Sequence, residues 1–128
     1  MKTIALSFFS FLWVLTACDV PKAASDTTQS DLPVFSCYGN EPFWNISIAQ
    51  QGITYRSADG PKIEYPFFPP RENGPSLIFE TQRSEGGKIQ TLKIVIIRQN
   101  CLDSMSGERF PFTADVEKDG KILYGCAK

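Results

Sequence analysis

The most informative absence in this chain of 128 residues is histidine, of which there is none. Without imidazole there is no Ser-His-Asp or Cys-His relay, no histidine proton shuttle and no zinc site with histidine ligands. Charge of one sign is not in excess either, since 13 Lys and Arg residues face 14 Asp and Glu residues. A near-neutral chain lacks the basic surface that binds nucleic acid, so we expect no nucleic-acid partner.

Motifs for catalysis and for metal binding are also scarce. Ser106 has no histidine base and stands in no Ser-x-x-Lys run, which leaves it without an activating partner. Asp115, Glu117 and Asp119 alternate before a turn, which is more typical of an exposed strand face than of a calcium site. We therefore predict no catalytic residue, no metal, no cofactor and no enzymatic activity.

Residues 1–17 are typical of a secretory signal peptide. Lys2 provides positive charge, and residues 4–17 form an apolar stretch too short to span a bilayer comfortably. The stretch ends in Leu15-Thr16-Ala17-Cys18, which resembles the bacterial lipobox. This resemblance implies cleavage before Cys18, a diacylglyceryl group on its thiol and an acylated new amino terminus. An ordinary signal peptide beside a cysteine and a short amphipathic anchor are the alternatives.

Several acyl chains hold a protein stably on a membrane, because each buried CH₂ contributes about 0.8 kcal/mol. Asp19 follows Cys18, and an aspartate there resembles the enterobacterial signal that avoids sorting to the outer membrane. We expect a lipid anchor on the periplasmic side, with the inner membrane favoured and the outer membrane left open. Residues 18–33 comprise the lipidated cysteine and a polar tether with too few apolar residues to fold. A single domain then covers residues 34–128.

Alternation of apolar and polar residues predicts β-strands throughout residues 34–128, and no segment there keeps a helical period. Turn signals such as Gly86-Gly87 and Asp119-Gly120 separate seven alternations. The apolar positions are Trp44/Ile46/Ile48, Ile53/Tyr55, Ile63/Tyr65/Phe67, Leu77/Phe79/Thr81, Leu92/Ile94/Ile96, Phe112/Ala114/Val116 and Ile122/Tyr124/Cys126. We predict an all-β domain, a small antiparallel meander of about seven strands. Closure into a barrel or curled sandwich would protect its hydrophobic edges.

Three cysteines remain besides the lipidated one, so three pairings among Cys37, Cys101 and Cys126 are possible. An oxidising compartment favours one disulfide and one free thiol. If the strands alternate in direction, Cys101 and Cys126 lie at the same end of the sheet and Cys37 lies at the other. We favour Cys101–Cys126. A late turn or a missing strand would place these two cysteines at opposite ends of the sheet.

Residues 35–44 are the densest group of aromatic and polar side chains. One interpretation places Cys37 and Glu41 at the rim of an aromatic pocket for an apolar or sugar-like ligand. The interpretation we favour is structural, with a turn at Gly39-Asn40 and an aromatic plug made by Phe43 and Trp44. The candidate binding residues in this segment are Cys37, Asn40, Glu41 and Trp44.

Two further segments carry candidate binding residues. In residues 100–112, Asp103 and Ser106 have the spacing of an Asx turn or a helical cap. In residues 65–71, Phe68 and Arg71 could form the probe of an inhibitor, since Phe67 and Phe68 face opposite sides and at least one is exposed. The simpler interpretation of that segment is a strand end whose prolines stop edge pairing.

Residues 35–44 and residues 100–112 resemble an uncharacterised family of bacterial envelope lipoproteins, sometimes linked to META/HslJ-like domains. The matching motifs are Phe35-x-Cys37-x-Gly39-Asn40-Glu41-Pro42-Phe43-Trp44, Cys101-x-Asp103-x-Met105-Ser106, Phe110-Pro111-Phe112 and Gly125-Cys126. The resemblance covers nearly all of residues 34–128 and implies an envelope location and a fold, with no activity attached. Relatives often end in Gly-Cys-Cys where this chain has Gly125-Cys126-Ala127, so it lacks the cysteine for their second bridge.

We expect a lipid-anchored periplasmic lipoprotein whose β-domain binds a small ligand or an envelope protein, or maintains the envelope, without catalysis. One alternative is a protein inhibitor of an envelope-directed hydrolase, similar to lysozyme inhibitors. The other is a thiol-dependent enzyme that uses Cys37. That enzyme needs a lowered thiol pKa, and the sequence shows no basic residue close to Cys37.

Overall fold

A computed structural model describes residues 34–128, so the predicted signal peptide, the lipidation of Cys18 and the tether lie outside the described residues. All regular elements in this range are β-strands. They are β1 Phe35–Asn40, β2 Phe43–Ala49, β3 Gly52–Ser57, β4 Ile63–Tyr65, β5 Arg71–Asn73, β6 Ser76–Glu85, β7 Lys88–Ile97, β8 Cys101–Leu102, β9 Arg109–Phe110, β10 Phe112–Lys118 and β11 Lys121–Ala127. Within residues 34–128 no helix has the length and hydropathy needed to cross a membrane.

Nine strands form one antiparallel sheet in the order β4-β3-β2-β1-β11-β10-β7-β6-β5, and β8 pairs with β9 in a small second sheet. The large sheet curls into a half-barrel. This confirms the predicted all-β fold with a curled antiparallel sheet. The seven predicted alternations correspond to β2, β3, β4, β6, β7, β10 and β11. The predicted turns Gly86-Gly87 and Asp119-Gly120 join two of the hairpins.

The strand order differs from a simple meander at β1, which pairs with the last strand, β11. The sequence prediction omits β1 because Gly39 interrupts its apolar alternation. In the structure Phe35 and Cys37 are buried on the same face as Gly39. Strands β5, β8 and β9 have two or three residues each, which is too few to show a period.

The hydrophobic core lies on the inner face of the curled sheet. Its largest fully buried side chains are Trp44, Phe79, Ile46, Ile48, Ile53, Leu92, Ile94, Ile96, Val116 and Cys37. All of them except Cys37 of β1 belong to the predicted apolar sets, so the inward faces of β2, β3, β6, β7 and β10 are as predicted. Burial of each such side chain contributes about 1.5–3 kcal/mol to folding, which is why the alternation specifies these strands.

The predicted inward face of β11 is wrong. Ile122 and Tyr124, predicted to face the core with Cys126, are 58% and 69% exposed. Leu123 lies opposite Val116 of β10, and cross-strand partners share a face. A shift of one residue moves every side chain of a strand to the other face of the sheet. The residues of β11 that face the core are therefore Leu123, Gly125 and Ala127. Two large apolar side chains are consequently left on the outer face.

The largest core side chain, Trp44, lies against both β1 and β11. Gly39 is its cross-strand partner on β1, and Gly125 lies opposite Ala114 between β11 and β10. A Cβ added to Gly39 would overlap the indole Nε1, and one added to Gly125 would overlap the Tyr38 carbonyl and lie 2.8 Å from the indole Cζ2. The indole Nε1 has no hydrogen-bond partner among the described residues. Packing on the two glycines therefore sets the position of the indole.

The proline-rich segment between β4 and β5 connects the two edge strands of the large sheet. The Thr81 hydroxyl donates a 2.7 Å hydrogen bond to the carbonyl of Pro66. Phe67 packs on the core, with its ring centre 6.3 Å from that of Phe79, while Phe68 is 51% exposed. The two phenylalanines thus face opposite sides, as the sequence predicts.

Gly125→Ala should destabilise the domain by about 3 kcal/mol or more, because the added methyl group overlaps backbone and indole atoms in a packed core. The control is Gly86→Ala in the β6–β7 hairpin, where φ is 57° and nothing lies within 4 Å of the added Cβ. That change carries only the left-handed backbone cost of about 1–2 kcal/mol. Urea unfolding followed by tryptophan fluorescence measures both. Equal losses would contradict the tight packing at Gly125.

Candidate functional site

An open depression of about 530 Å³ lies on the outer face of the sheet, opposite the core. Residues 38–41 form one wall, residues 101–104 form another, and outward side chains of β10 and β11 form the floor. The two segments that the sequence analysis singled out separately therefore meet here. The side-chain amide of Asn40 donates a hydrogen bond to the Asp103 carboxylate, 63 positions further along the chain.

Asp103 is the hydrogen-bonding centre of the second wall. Its Oδ1 accepts bonds from Asn40 and from the Met105 backbone N–H at 3.2 Å. Its Oδ2 accepts from the Ser106 hydroxyl at 2.6 Å and from the Ser106 backbone N–H at 3.3 Å. The predicted Asx turn between Asp103 and Ser106 is thus present. The Ser106 hydroxyl above all, with the Met105 and Asn40 donors, holds the pKa of Asp103 below its usual value.

The disulfide Cys101–Cys126 fastens this wall to β11, with 5.5 Å between the two Cα atoms. The favoured pairing is confirmed, but part of the reasoning behind it is wrong. Cys37 does not lie at the far end of the sheet, since it is opposite Ala127. It cannot reach Cys126 because its side chain points into the core and that of Cys126 points outward, which is a consequence of the strand pleat.

Cys37 itself is completely buried, and this burial raises the pKa of its thiol to about 12. A thiol with such a pKa is not ionised at neutral pH and is a poor nucleophile. The candidate binding residues Cys37 and Trp44 are both core residues that no ligand in the depression can touch. Phe43, expected to plug the interior with Trp44, is instead half exposed. Their positions give no support to the thiol enzyme.

Aromatic rings border the depression on two sides. Tyr38 is partly exposed, and its ring centre lies 6.2 Å from that of Phe110. The Lys128 ammonium lies 5.8 Å and 5.2 Å from these two ring centres. Tyr124, on the floor, is the most exposed tyrosine at 69%. Sequence reasoning missed Tyr124 and Leu102 as site residues, because it assigned the first to the core and gave the second no role.

Phe68 and Arg71 lie elsewhere, on the outer face of β6 and β7. Phe68 borders a second depression of about 450 Å³ together with Glu80 and Lys93. Arg71 Nε lies 3.3 Å from Glu80 Oε2, and both side chains are more than half exposed. The hydrogen bond from Arg71 holds the pKa of Glu80 below its usual value. The structure therefore brings Phe68 and Arg71 together around Glu80, away from the other candidate residues.

Carboxylates do not cluster as metal ligands in the described part of the chain, where no group of three or more Cys, Asp or Glu residues is placed to hold an ion. Asp119, part of the acidic alternation, accepts the Thr91 backbone N–H at 2.8 Å and the Lys118 ammonium at 2.6 Å. The bond from Thr91 therefore holds the β10–β11 turn against β7.

Comparison of the chain with protein-family models, with curated proteins and with solved structures finds no match. The resemblance to envelope lipoproteins therefore stays a prediction.

The wall at residues 103–106 should loosen in acid. The folded-state pKa of Asp103 lies below the value of about 3.9 found in unfolded chains, so its contribution to stability is present above that value. The contribution is lost as the pH falls through the folded-state pKa. Amide NMR shifts of Met105 and Ser106 between pH 6 and pH 2 measure the transition. Asp103→Asn should abolish it and Asp59→Asn, an exposed control, should leave it; a transition that persists without Asp103 would contradict its assignment.

Proposed function

We propose that the protein is a lipid-anchored lipoprotein on the periplasmic side of a membrane, whose β-domain binds a ligand in the depression at residues 38–41 and 101–104 without catalysing a reaction. The observation that carries the proposal is the joining of two distant segments around Asp103. Four hydrogen-bond donors and one disulfide fix a wall that is itself mostly exposed. A wall ordered in advance lowers the entropy cost of binding.

The surface of the depression favours contact with a partner. Nine large hydrophobic side chains are exposed among residues 34–128, and four of them border this one depression. The four are Tyr38, Leu102, Ile122 and Tyr124. Exposed apolar residues scattered singly are ordinary, whereas a contiguous group is typical of an interaction site.

The position of the depression agrees with an anchor at Cys18. The described chain begins at Val34, just before β1, and residues 38–41 lie at the other end of that strand. At about 3.3 Å per residue, the strand separates its two ends by about 17 Å. An anchor that precedes β1 would therefore be attached at the strand end remote from the depression.

The chemistry of the depression favours binding over catalysis. The Ser106 hydroxyl donates to Asp103 and accepts the Glu108 backbone N–H at 3.2 Å. A carboxylate with a lowered pKa and both oxygens occupied is a weak general base. A bound partner would meet an apolar and acidic surface in which no nucleophile is activated.

An inhibitor of an envelope-directed hydrolase is the second candidate. The exposed ring of Phe68 follows Pro66 and precedes Pro69 and Pro70, which restrict the backbone and would order a protruding probe. Arg71 beside it offers a charged contact, although its pairing with Glu80 competes for the guanidinium.

Anchoring is tested by fractionating cells that express the full chain. The protein should sediment with membranes, and intact mass spectrometry should show acyl groups on a mature chain that begins at Cys18. Cys18→Ser should move the protein to the soluble periplasmic fraction, because it removes the thiol that receives the lipid. A wild-type chain without lipid in the soluble fraction would contradict the anchor.

Binding is tested by NMR on the ¹⁵N-labelled full chain in detergent. We would add, in turn, soluble peptidoglycan fragments, periplasmic peptides and proteins, and a polar lipid extract. At least one fraction should shift amides of residues 38–41, 101–106 and 122–125. Tyr124→Ser should reduce the shifts, because the ring forms the floor. Ile89→Ser, a control that is equally exposed but lies outside the depression, should not.

Shifts confined to residues 67–72 would favour the inhibitor. The absence of shifts at the depression with every fraction would refute the proposed binding site.

A further inference from the structure

We infer that the ligand of this depression is a basic peptide segment, with a lysine or arginine side chain against Asp115 and apolar neighbours against Tyr124 and Ile122. The inference rests on the proposed function and specifies its partner.

The lining is acidic although the domain is neutral. Residues 34–128 contain 11 Lys and Arg and 11 Asp and Glu. The lining includes Glu41, Asp103 and Asp115 but no Lys or Arg. Asp103 is occupied by its four donors, whereas Glu41 and Asp115 have no ion-pair partner within the described range. Two carboxylates are thus available to a positively charged group.

Asp115 occupies an unusual place for an unpaired carboxylate. It is partly buried on the outer face, with Val95 and Tyr124 as its cross-strand neighbours. Glu117, two positions along the same strand and on the same face, lies opposite Lys93 of β7, which offsets its charge. An unpaired carboxylate at a half-buried position can accept a charge-assisted hydrogen bond from a bound cation.

The neighbouring aromatic rings suit a cation as well. Lys128 places its ammonium within 6 Å of the Tyr38 and Phe110 ring centres, so the rim already holds a group of this kind. Tyr124 is more exposed than Tyr38 and lies beside Asp115, which gives a second ring next to a free carboxylate. Ammonium and guanidinium groups bind favourably to this combination of ring and carboxylate.

The shape favours an extended peptide over a compact amine. The depression shares Asp115, Ile122 and Tyr124 with a hollow of about 200 Å³ that continues to Val95 and Lys93 on β7. From β1 to β7 the surface crosses three strand spacings, or about 14 Å, which is the length of about four extended residues. A shallow open surface encloses a small amine poorly, whereas a peptide gains contacts along its length. Lys93 lies opposite Glu117 and is in an ion pair with Glu80 at 3.9 Å, so we assign the basic residue of the peptide to Asp115.

The test measures fluorescence anisotropy of labelled acetyl-Leu-Lys-Val-Arg-Leu-amide with the full chain in nonionic detergent. The matched acidic peptide carries Glu in place of Lys and Arg, and unlabelled spermidine serves as competitor. Asp115→Asn removes the charge at nearly constant size. Glu72→Gln is the control, because Glu72 is an exposed carboxylate on β5, outside the depression and without an ion pair in the described range. Urea midpoints confirm that both variants fold.

The basic peptide should bind and the acidic one should not. Asp115→Asn should weaken binding about fivefold, the effect of one partly exposed ion pair, and Glu72→Gln should change nothing. Raising the salt from about 50 to about 300 mM should weaken wild-type binding, because the charges are partly exposed.

Equal binding of the acidic peptide, or unchanged binding by the Asp115→Asn variant, would overturn the inference. Displacement by spermidine at the potency of the unlabelled peptide would also overturn it, in favour of a small amine. If neither peptide binds while an envelope fraction shifts amides at the depression, the inference fails and the proposed function stands. If no fraction shifts them, the proposed function itself fails.

Discussion

Trp44 packs its indole against two glycines at the place where the first and last strands of the domain pair. This contact joins strands β1–β4 to β11, β10, β7, β6 and β5, and so makes one sheet from two runs of hairpins. Because Gly125 has to face the indole, its neighbours Tyr124 and Cys126 have to face outward. The outward Cys126 meets its disulfide partner, and the outward Tyr124 becomes the floor of the depression. The core and the candidate site are therefore opposite faces of the same strand.

Two carboxylates at the depression differ in what surrounds them. Asp103 accepts four hydrogen bonds that order the wall, so both of its carboxylate oxygens are already occupied within the protein. Asp115 lies on the floor between apolar neighbours and has no ion-pair partner in the described range. The first supports a rigid shape, and in our proposal the second supplies the attraction for a basic partner. A binding site needs both, because rigidity lowers the cost of association and an unsatisfied group provides selectivity.

Much of the fold is predictable from the sequence, because apolar and polar residues alternate along a strand that has one buried face. The inward faces of five strands and the turns Gly86-Gly87 and Asp119-Gly120 follow from local pattern alone. The inverted face of β11 does not follow from local pattern. Ile122 and Tyr124 are more hydrophobic than Gly125, yet Gly125 faces the core and they face outward. The glycine is required there by the Tyr38 carbonyl of β1 and by the Trp44 indole, 81 positions earlier. The two walls of the site were likewise recognisable separately, but their meeting depends on the long-range pairing of β1 with β11.

The most direct measurement of this account is a nuclear Overhauser spectrum of the folded chain, recorded from the ring protons of Trp44. The packing predicts cross-peaks from the indole N–H to the α-protons of Gly39 and from the Hζ2 proton to those of Gly125. It also predicts upfield shifts of these α-protons from the ring current. Absence of both cross-peaks, with the indole N–H exchanging rapidly with solvent, would contradict the packing and with it the orientation of β11 on which the site depends.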